Sequence, residues 1–320
     1  SFTGSAANID SKKLELRPIT NVTKGLEGQS TGILTTSGSG QPGSSASIVI
    51  RGFGSINASS SPLYVVDGVP FDGSLSSINP ADIESMTVLK DASAGALYGA
   101  RGANGVVMIT TKGGKEGKAN ITWRSTVGWS SRALDEYDMV DGKDYVQLTY
   151  EAIRNSYLFN SGYSWADAES QARADLGGNL GGELYNPFKN YTWDTIIDPA
   201  TGQVKADAQA AWNEKWMDAL QRDNAMRHEH QLSINGGTDK TKYMFSLGYL
   251  NEDGILVTTG FQRYNARANV MSNINHWFKA NANLSLSNSV QNFSDYSGSS
   301  TSNVWYSAQF VSPLFPVYIK

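Results

Sequence analysis

The chain has 320 residues, with 26 basic against 30 acidic side chains for a formal net charge of −4, and no cysteine. Disulfides and thiolate metal sites are thereby excluded, and the charge balance gives no electrostatic case for nucleic acid as a partner. No apolar run approaches the roughly 18 residues of a membrane-spanning helix, residues 1–20 lack a basic start followed by an apolar stretch, and the length allows two domains.

The first predicted elements are short. "SASIVIRGFGS" (45–55) and "PLYVVDGVPF" (62–71) are β-rich runs ended by Gly, Pro and Asp turn residues, with the polar loop "INASSS" between them. "ESMTVLKD" (84–91) reads as a strand, "ASAGALYG" (92–99) as a short helix and "GVVMITTK" (105–112) as another strand. Residues 20–112 therefore predict a mixed α+β domain.

Gly99, Gly102 and Gly105 lie three apart beside Arg101 and invite comparison with a phosphate cradle. Such a cradle needs a strand that enters a glycine turn and then a helix, because the phosphate sits on the helix N-terminus. Here the glycines follow the predicted helix, where positive φ would cap its C-terminus and turn the chain. "GGKEGK" (113–118) also lacks P-loop spacing and a Ser or Thr after Lys118. No nucleotide site is expected.

After Lys118 the pattern changes to period two. "ANITWRSTVGWS" (119–130) sets Ile121, Trp123, Val127 and Trp129 against Asn120, Thr122, Arg124 and Thr126. "KTKYMFSLGYL" (240–250), "RYNARANVMSNI" (263–274) and "FKANANLSLSNSV" (278–290) alternate likewise, and "EHQLSING" (229–236) does so more weakly. Alternation of this length means sheets with one apolar and one polar face. A soluble antiparallel sandwich shows the same pattern. Two features favour a membrane barrel: runs near the roughly 9–11 residues that cross a bilayer, and aromatics recurring near strand ends. Arginine at Leu247 or Leu284 should then be costly, and arginine at Ser246 or Ser285 tolerated.

"GGTDK" (236–240) and "NINHW" (273–277) read as tight periplasmic turns, which leaves 131–227, 251–262 and 291 onward as extracellular connections. The first predicts helices around 142–158 and 207–222; it could serve as a contact for a partner or substrate, or as a self-packed cap. About five strands cannot close a barrel, since an open edge in lipid leaves backbone groups unsatisfied. The segment is therefore expected to stop short of a closed barrel, in an extracellular loop near "SPLFPVYIK".

Reactive constellations are sparse. His228 and His230 share a strand face without a carboxylate or cysteine at metal spacing, His276 stands apart, and no Gly-x-Ser-x-Gly occurs. Glu252-Asp253 beside Gly254 reads as a solvated turn. Neither an enzyme nor a cofactor is expected.

"ITNVTKGLEGQSTGI", "IVIRGFGSINASSSPLYVVDGVPF" and "INPADIESMTVLKDASAGALYGARGANGVVMITTK" resemble the plug domain of TonB-dependent outer-membrane transporters, and more closely the SusC/RagA group. Asp91-Ala92 stands where the wider superfamily usually has Gly-Pro. The resemblance implies a transmembrane β-barrel of about 22 strands, only the first few present here, with an N-terminal α+β plug in the lumen. It divides the chain into a plug at 1–118 and the start of the barrel at 119–320.

By the same resemblance, the function is TonB-dependent import of a nutrient, a glycan or a peptide, across the bacterial outer membrane. A SusD-like surface lipoprotein would deliver it, and TonB with ExbB and ExbD would act from the periplasm. The alternative is a receptor that binds or senses without transport. The loop after "IRG" (Phe53, Ser55, Ile56, Asn57) and the loop after "DGVP" (Phe71, Asp72, Ser74) become candidate substrate contacts, or ordinary plug loops bonded to the wall. Arg51 and Lys90 fall where the superfamily carries basic residues that pair with barrel carboxylates; lysine there lacks the bidentate geometry of arginine.

Overall fold

The computed structural model describes residues 6–15, 19–52, 60–90, 98–134, 137–294 and 303–318. Two compact units emerge, one of residues 1–131 with 222–293 and one of 132–221 with 294–320.

The first unit opens with β1 (Ala6–Asp10), α1 (Ser11–Glu15), β2 (Ile33–Thr36), β3 (Ser47–Ile50), β4 (Leu63–Val66), β5 (Val69–Pro70), β6 (Ile83–Leu89) and β7 (Val106–Thr111). Five of these strands form a sheet in the order β1-β6-β7-β4-β5, with β4 and β7 parallel, while β2 and β3 pair separately. Val, Ile and Met on β6 and β7 suit a sheet covered on its faces: Met86, Val88, Val107 and Ile109 are buried with Ile9, Leu26 and Ile48 in one cluster.

The two-residue turn Asp67-Gly68 joins β4 to β5 with φ of 48° and 87°, the double positive φ that an Asp-Gly hairpin turn supplies. Gly99 and Gly105 also have positive φ, and a Cβ on Gly105 would meet Ile50 Cδ1 at 2.7 Å. Gly102 departs from expectation: it lies buried in a 3-10 turn, Gly99–Gly102, without positive φ. The predicted helix at 92–99 falls largely outside the described residues.

Five long strands follow: β8 (Gly117–Ser130), β9 (Ala225–Gly237), β10 (Thr241–Asp253), β11 (Gly260–Asn273) and β12 (Lys279–Asn292). They form an antiparallel meander in the order β12-β11-β10-β9-β8. Strands of 13 or 14 residues are longer than their alternation implied, because the ladders continue through Glu252↔Phe261 and Asp253↔Gly260. The connection expected at 251–262 thus shrinks to 254–259.

The apolar face of this meander is the exposed one: Trp123 is 72% and Leu247 57% accessible, and Leu284 and Leu286 are similarly open. The polar face of the middle strands β9–β11 is covered, with Arg227, Gln231, Ser246, Arg263 and Arg267 all buried. A soluble sandwich places these faces the other way round. Outward apolar bands with a polar interior belong to a transmembrane barrel wall.

The second unit combines the insertion between β8 and β9 with the segment that follows β12. Its helices are α2 (Gly142–Asn160), α3 (Trp165–Asn179), α4 (Trp216–Leu220) and α5 (Val304–Phe310). Asp141 and Ser164 cap α2 and α3 by accepting from Asp144 N and Asp167 N. Val146, Tyr150, Leu176, Trp193, Ile196 and Leu314 form a core of its own.

Helix α3 was not expected, and its buried stripe of Ala168, Ala172 and Leu176 explains why: small residues weaken the amphipathic contrast. The helix expected at 207–222 reduces to Trp216–Leu220. Its two indoles bond backbone distant in sequence, Trp212 Nε1 to Leu314 O at 2.8 Å and Trp216 Nε1 to Phe315 O at 3.0 Å. Tertiary contacts, rather than helical periodicity, place those tryptophans.

Candidate functional site

The covered polar face of β9–β11 meets the first domain through a continuous hydrogen-bonded seat. Its centre is the turn "NPAD" (79–82) that leads into β6. Asn79 caps the 3-10 turn by accepting from Ala81 N at 3.1 Å, and Pro80 at the first position fits a site whose N–H would have no helical partner. This places the Asp82 carboxylate against the wall. Three adjacent strands reach it: Gln231 Nε2 and Ser246 Oγ donate to Asp82 Oδ1 at 2.9 and 2.8 Å, and Asn265 Nδ2 donates to Oδ2 at 3.2 Å. Asn79 Nδ2 also donates to Gln231 Oε1 at 2.8 Å.

Gly248 makes this convergence possible. It lies between Gln231 and Asn265 in one transverse row of the sheet. A Cβ there would stand 2.5 Å from both Asn265 Oδ1 and Gln231 Oε1. Its missing side chain is the space in which the two amides approach Asp82.

Arg263 is the second element. It is 1% accessible, and its Nη1 donates to Thr20 O at 2.9 Å and Ser76 O at 3.0 Å, while Nη2 donates to Asn79 Oδ1 at 3.1 Å. One wall guanidinium thus joins two separate stretches of the inner domain, at Thr20 and at 76–79. One strand turn away, Arg267 Nη2 pairs with Asp67 Oδ2 at 2.5 Å and also bonds Thr111 Oγ1. The same Asp67 accepts from Thr111 N at 2.9 Å, so the hairpin turn residue is also an anchor.

Two further contacts extend the seat. Arg227 pairs with Glu229 at 2.7 Å and approaches Glu252 at 3.6 Å, and Glu252 accepts from Thr20 Oγ1. Gly43, at φ 75°, lets the loop 41–44 rest on Phe261, whose ring a Cβ would meet at 2.3 Å.

Burial pushes the Asp82 carboxyl above its ordinary pKa, against the opposing effects of the Ser246 hydrogen bond and of Arg267, Lys112 and Arg263. A network this dry is costly to leave half-made, because each unsatisfied buried group loses about 1–3 kcal/mol.

Phe71 is half-buried, with its N donating to Tyr64 O at 2.9 Å; Asp72 and Ser74 are exposed. Asp72 pairs with Arg101 at 2.5 Å, and Ser74 Oγ lies 2.7 Å from Ser76 Oγ. Phe53, Ser55, Ile56 and Asn57 lie outside the described residues. Lys90 Nζ donates to Ser30 Oγ at 2.7 Å and Thr31 O at 2.6 Å, tying together two parts of the inner domain. Arg51 sits at φ 60° with its N donating to Gly32 O at 2.9 Å.

The basic residues that cross from wall to inner domain in this seat are Arg263 and Arg267. Reading the sequence placed both, like Gly248, on a polar face but gave them no role, and it passed over Asn79 and Asp82. The one local signal was a pair of arginines four residues apart on the lumen side of a strand. Among the described residues no cluster of three or more His, Cys, Asp or Glu could hold a metal. His228 and His230 instead lie on the outward face beside Tyr249.

A polar-lined wall with an apolar exterior, filled by an α+β domain bolted to its inner face, defines a plugged transmembrane β-barrel. Residues 1–106 match the family described as TonB-dependent Receptor Plug Domain. The chain is 32% identical to the TonB-dependent receptor SusC of Bacteroides thetaiotaomicron over 99% of its own length and 27% of that protein's. It is 29% identical to the TonB-dependent receptor P39 of Formosa agariphila, over 88% of the chain and 23% of the relative. The RagAB peptide importer in its "closed-closed" state superposes with a TM-score of 0.73 at 33% identity, over 92% of this chain and 32% of that one. The chain is thus the plug and first barrel strands of an outer-membrane TonB-dependent receptor of the SusC/RagA type. It spans about a quarter to a third of the length of these relatives.

Proposed function

We propose that the whole protein imports a nutrient, a peptide or a glycan, across the outer membrane, with a SusD-like surface lipoprotein delivering the substrate and TonB, energised through ExbB and ExbD, supplying the work. The observation that carries this reading is the seat of Asp82, Arg263 and Arg267. A plug held by so many buried hydrogen bonds blocks the lumen and does not open at thermal energy. Nothing in the outer membrane supplies a nucleotide, so the work has to be mechanical and come from a partner across the periplasm. Phe71, Asp72 and Ser74, with the loop of Phe53, Ser55, Ile56 and Asn57, are assigned to substrate contact. Arg51 and Lys90 are assigned to anchoring against wall not present in this segment. The insertion between β8 and β9, reached by long connections, is assigned to the cell exterior.

The test is a tether between plug and wall. Ser287 Oγ donates to Ser77 O at 2.9 Å, which brings plug and wall together there, and Ser77→Cys with Ser287→Cys, with the bond verified by peptide mapping of the full-length protein, supplies the crosslink. Oxidised cells should bind the nutrient at their surface yet fail to take it up, and reduction should restore uptake. Normal uptake by fully crosslinked protein refutes plug-gated transport. Binding without uptake in the reduced, untethered protein identifies a receptor instead.

A further inference from the structure

The turn 254–259 between β10 and β11 carries a strain that its own side chains do not explain. Thr258 sits at φ 74°. For a β-branched residue the left-handed region is an outlier that persists only where the surroundings enforce it. Thr258 is exposed, so the enforcement comes from its neighbours. Gly254 N donates to Thr259 O at 2.9 Å and Thr259 Oγ1 to Leu256 O at 2.6 Å, with Leu256 and Thr259 both buried. A Cβ on Gly254 would collide with Thr259 Oγ1, so the turn closes over a position that only glycine fits.

Arg222, the residue at which the chain returns from the insertion, ties this turn down. Its N donates to Ile255 O at 2.7 Å and its Nη1 to Gly254 O at 2.9 Å, with the Thr259 and Leu256 carbonyls at 3.4 and 3.5 Å. On its other side the turn meets the plug: Pro42 Cδ lies 3.3 Å from where a Gly254 Cβ would stand. Gln291 Nε2 donates to Pro42 O at 2.7 Å, and Gly43 rests on Phe261. From that loop the contacts run inward. Asn21 Nδ2 donates to Ser45 Oγ at 2.9 Å and Ala46 N to Thr23 Oγ1 at 2.8 Å, and the adjoining Thr20 O is held by Arg263.

We propose that the turn 254–259 is a strained latch on the plug, held closed by Arg222 and released when the insertion draws Arg222 away. Closed, it fixes the loop 41–44 and, through Asn21 and Thr23, the Thr20 end of the seat. Withdrawal of Arg222 strips the Gly254 and Ile255 carbonyls of their donors. Thr258 then relaxes to negative φ, and the support beside Pro42 is lost. The plug is loosened at the stretch next to Arg263, while the anchors at Asp82 and Arg267 stay in place. Two features make this a switch and not simple packing: the strain favours release, and the strap comes from the one residue that joins insertion to wall. The latch rests on contacts between plug and wall; only its use in timing import rests on the proposed transport.

Hydrogen exchange on the full-length protein in nanodiscs tests it. The reporters are the amides of Thr23 and Ala46, which donate to Asn21 Oδ1 and Thr23 Oγ1; the reference is Val107 and Ile109 in the β6–β7 ladder. Arg222→Leu should speed exchange at both reporters about tenfold, as when one buried hydrogen bond is lost, and leave the reference unchanged. Arg222→Lys should do so less. Thr258→Asn accepts the left-handed region and should slow the reporters about fivefold, because strain no longer opposes the closed turn. Faster exchange confined to 254–259 in Arg222→Leu overturns the proposal. So does wild-type exchange at the reporters in Thr258→Asn, a result that can be read even if Arg222→Leu does not fold. Uptake enters none of these readouts, so failure here leaves plug-gated import standing, and failure of import leaves the latch standing.

Discussion

Replacing Arg263 by leucine should loosen the plug while leaving the barrel intact. The guanidinium is 1% accessible and satisfies Thr20 O, Ser76 O and Asn79 Oδ1 at 2.9–3.1 Å. Leucine returns some apolar contact but removes every donor, so the Thr20 and Ser76 carbonyls, on two stretches of plug, lose this partner and Asn79 Oδ1 keeps only Ala81 N. At about 1–3 kcal/mol for each stranded group, and allowing water to reach part of the vacated space, the seat should lose roughly 3–5 kcal/mol. That is a shift of two to three and a half decades, roughly, in the closed-to-open ratio of the plug.

The assay is conductance of the full-length protein in planar bilayers under a urea ramp, which reports when the lumen becomes continuous. Arg263→Leu should open at clearly lower urea than wild type, with Arg263→Lys in between because lysine keeps the charge but not the fork. Ser289→Leu, directly opposite Arg263 on β12 and exposed, is the control for a leucine on the lumen side. If Arg263→Leu opens at the wild-type urea concentration with a folded barrel, the guanidinium does not hold the plug and the seat argument fails.

Arginine at Leu247 or Leu284 should cost roughly 2–4 kcal/mol in a membrane-folding assay if those sites lie near the bilayer midplane. On the other face the simple expectation changes: Ser285 should accept arginine, but Ser246 is 2% accessible and donates to Asp82, so Ser246→Arg should lower the urea concentration at which the plug opens. Gly248→Ala should cost about 1–3 kcal/mol by parting the two amides that hold Asp82; unchanged conductance thresholds would show that the row has slack. For pH, the Asp82 carboxyl is raised in the seated plug by burial, so the seat binds a proton more tightly than the released plug does. Its contribution is complete below the ordinary carboxylate range and is lost as pH rises through the raised value. Opening should therefore need more urea in acid than near neutrality, and Asp82→Asn should flatten that difference; a slope of the opposite sign refutes it.

What the sequence determined alone was whatever repeats over short range. Period-two alternation marks which side of each long strand is apolar, since successive side chains must point to opposite faces. Gly, Pro and Asp turn residues mark where the short strands of the first domain end, and the helix expected around 142–158 appears as α2. The order of strand, glycine and strand was enough to set aside a phosphate cradle, although Gly102 turned out to be a buried turn residue and not a positive-φ one.

The tertiary structure decided everything whose cause lies far along the chain. Whether the apolar faces look inward or outward is not a property of any strand; the burial of Arg263, Arg267 and Ser246 against the plug shows it directly, in agreement with the barrel that the resemblance implied. Asp82 reads as one more turn carboxylate until Gln231, Ser246 and Asn265 close on it from about 150 to 180 residues away. Gly248 looks like a weak point in a strand until two neighbouring strands fill the place of its side chain. Hydrogen bonds between buried polar groups need an exact meeting of partners, and that meeting is set by register and sheet curvature, which no local window of sequence contains.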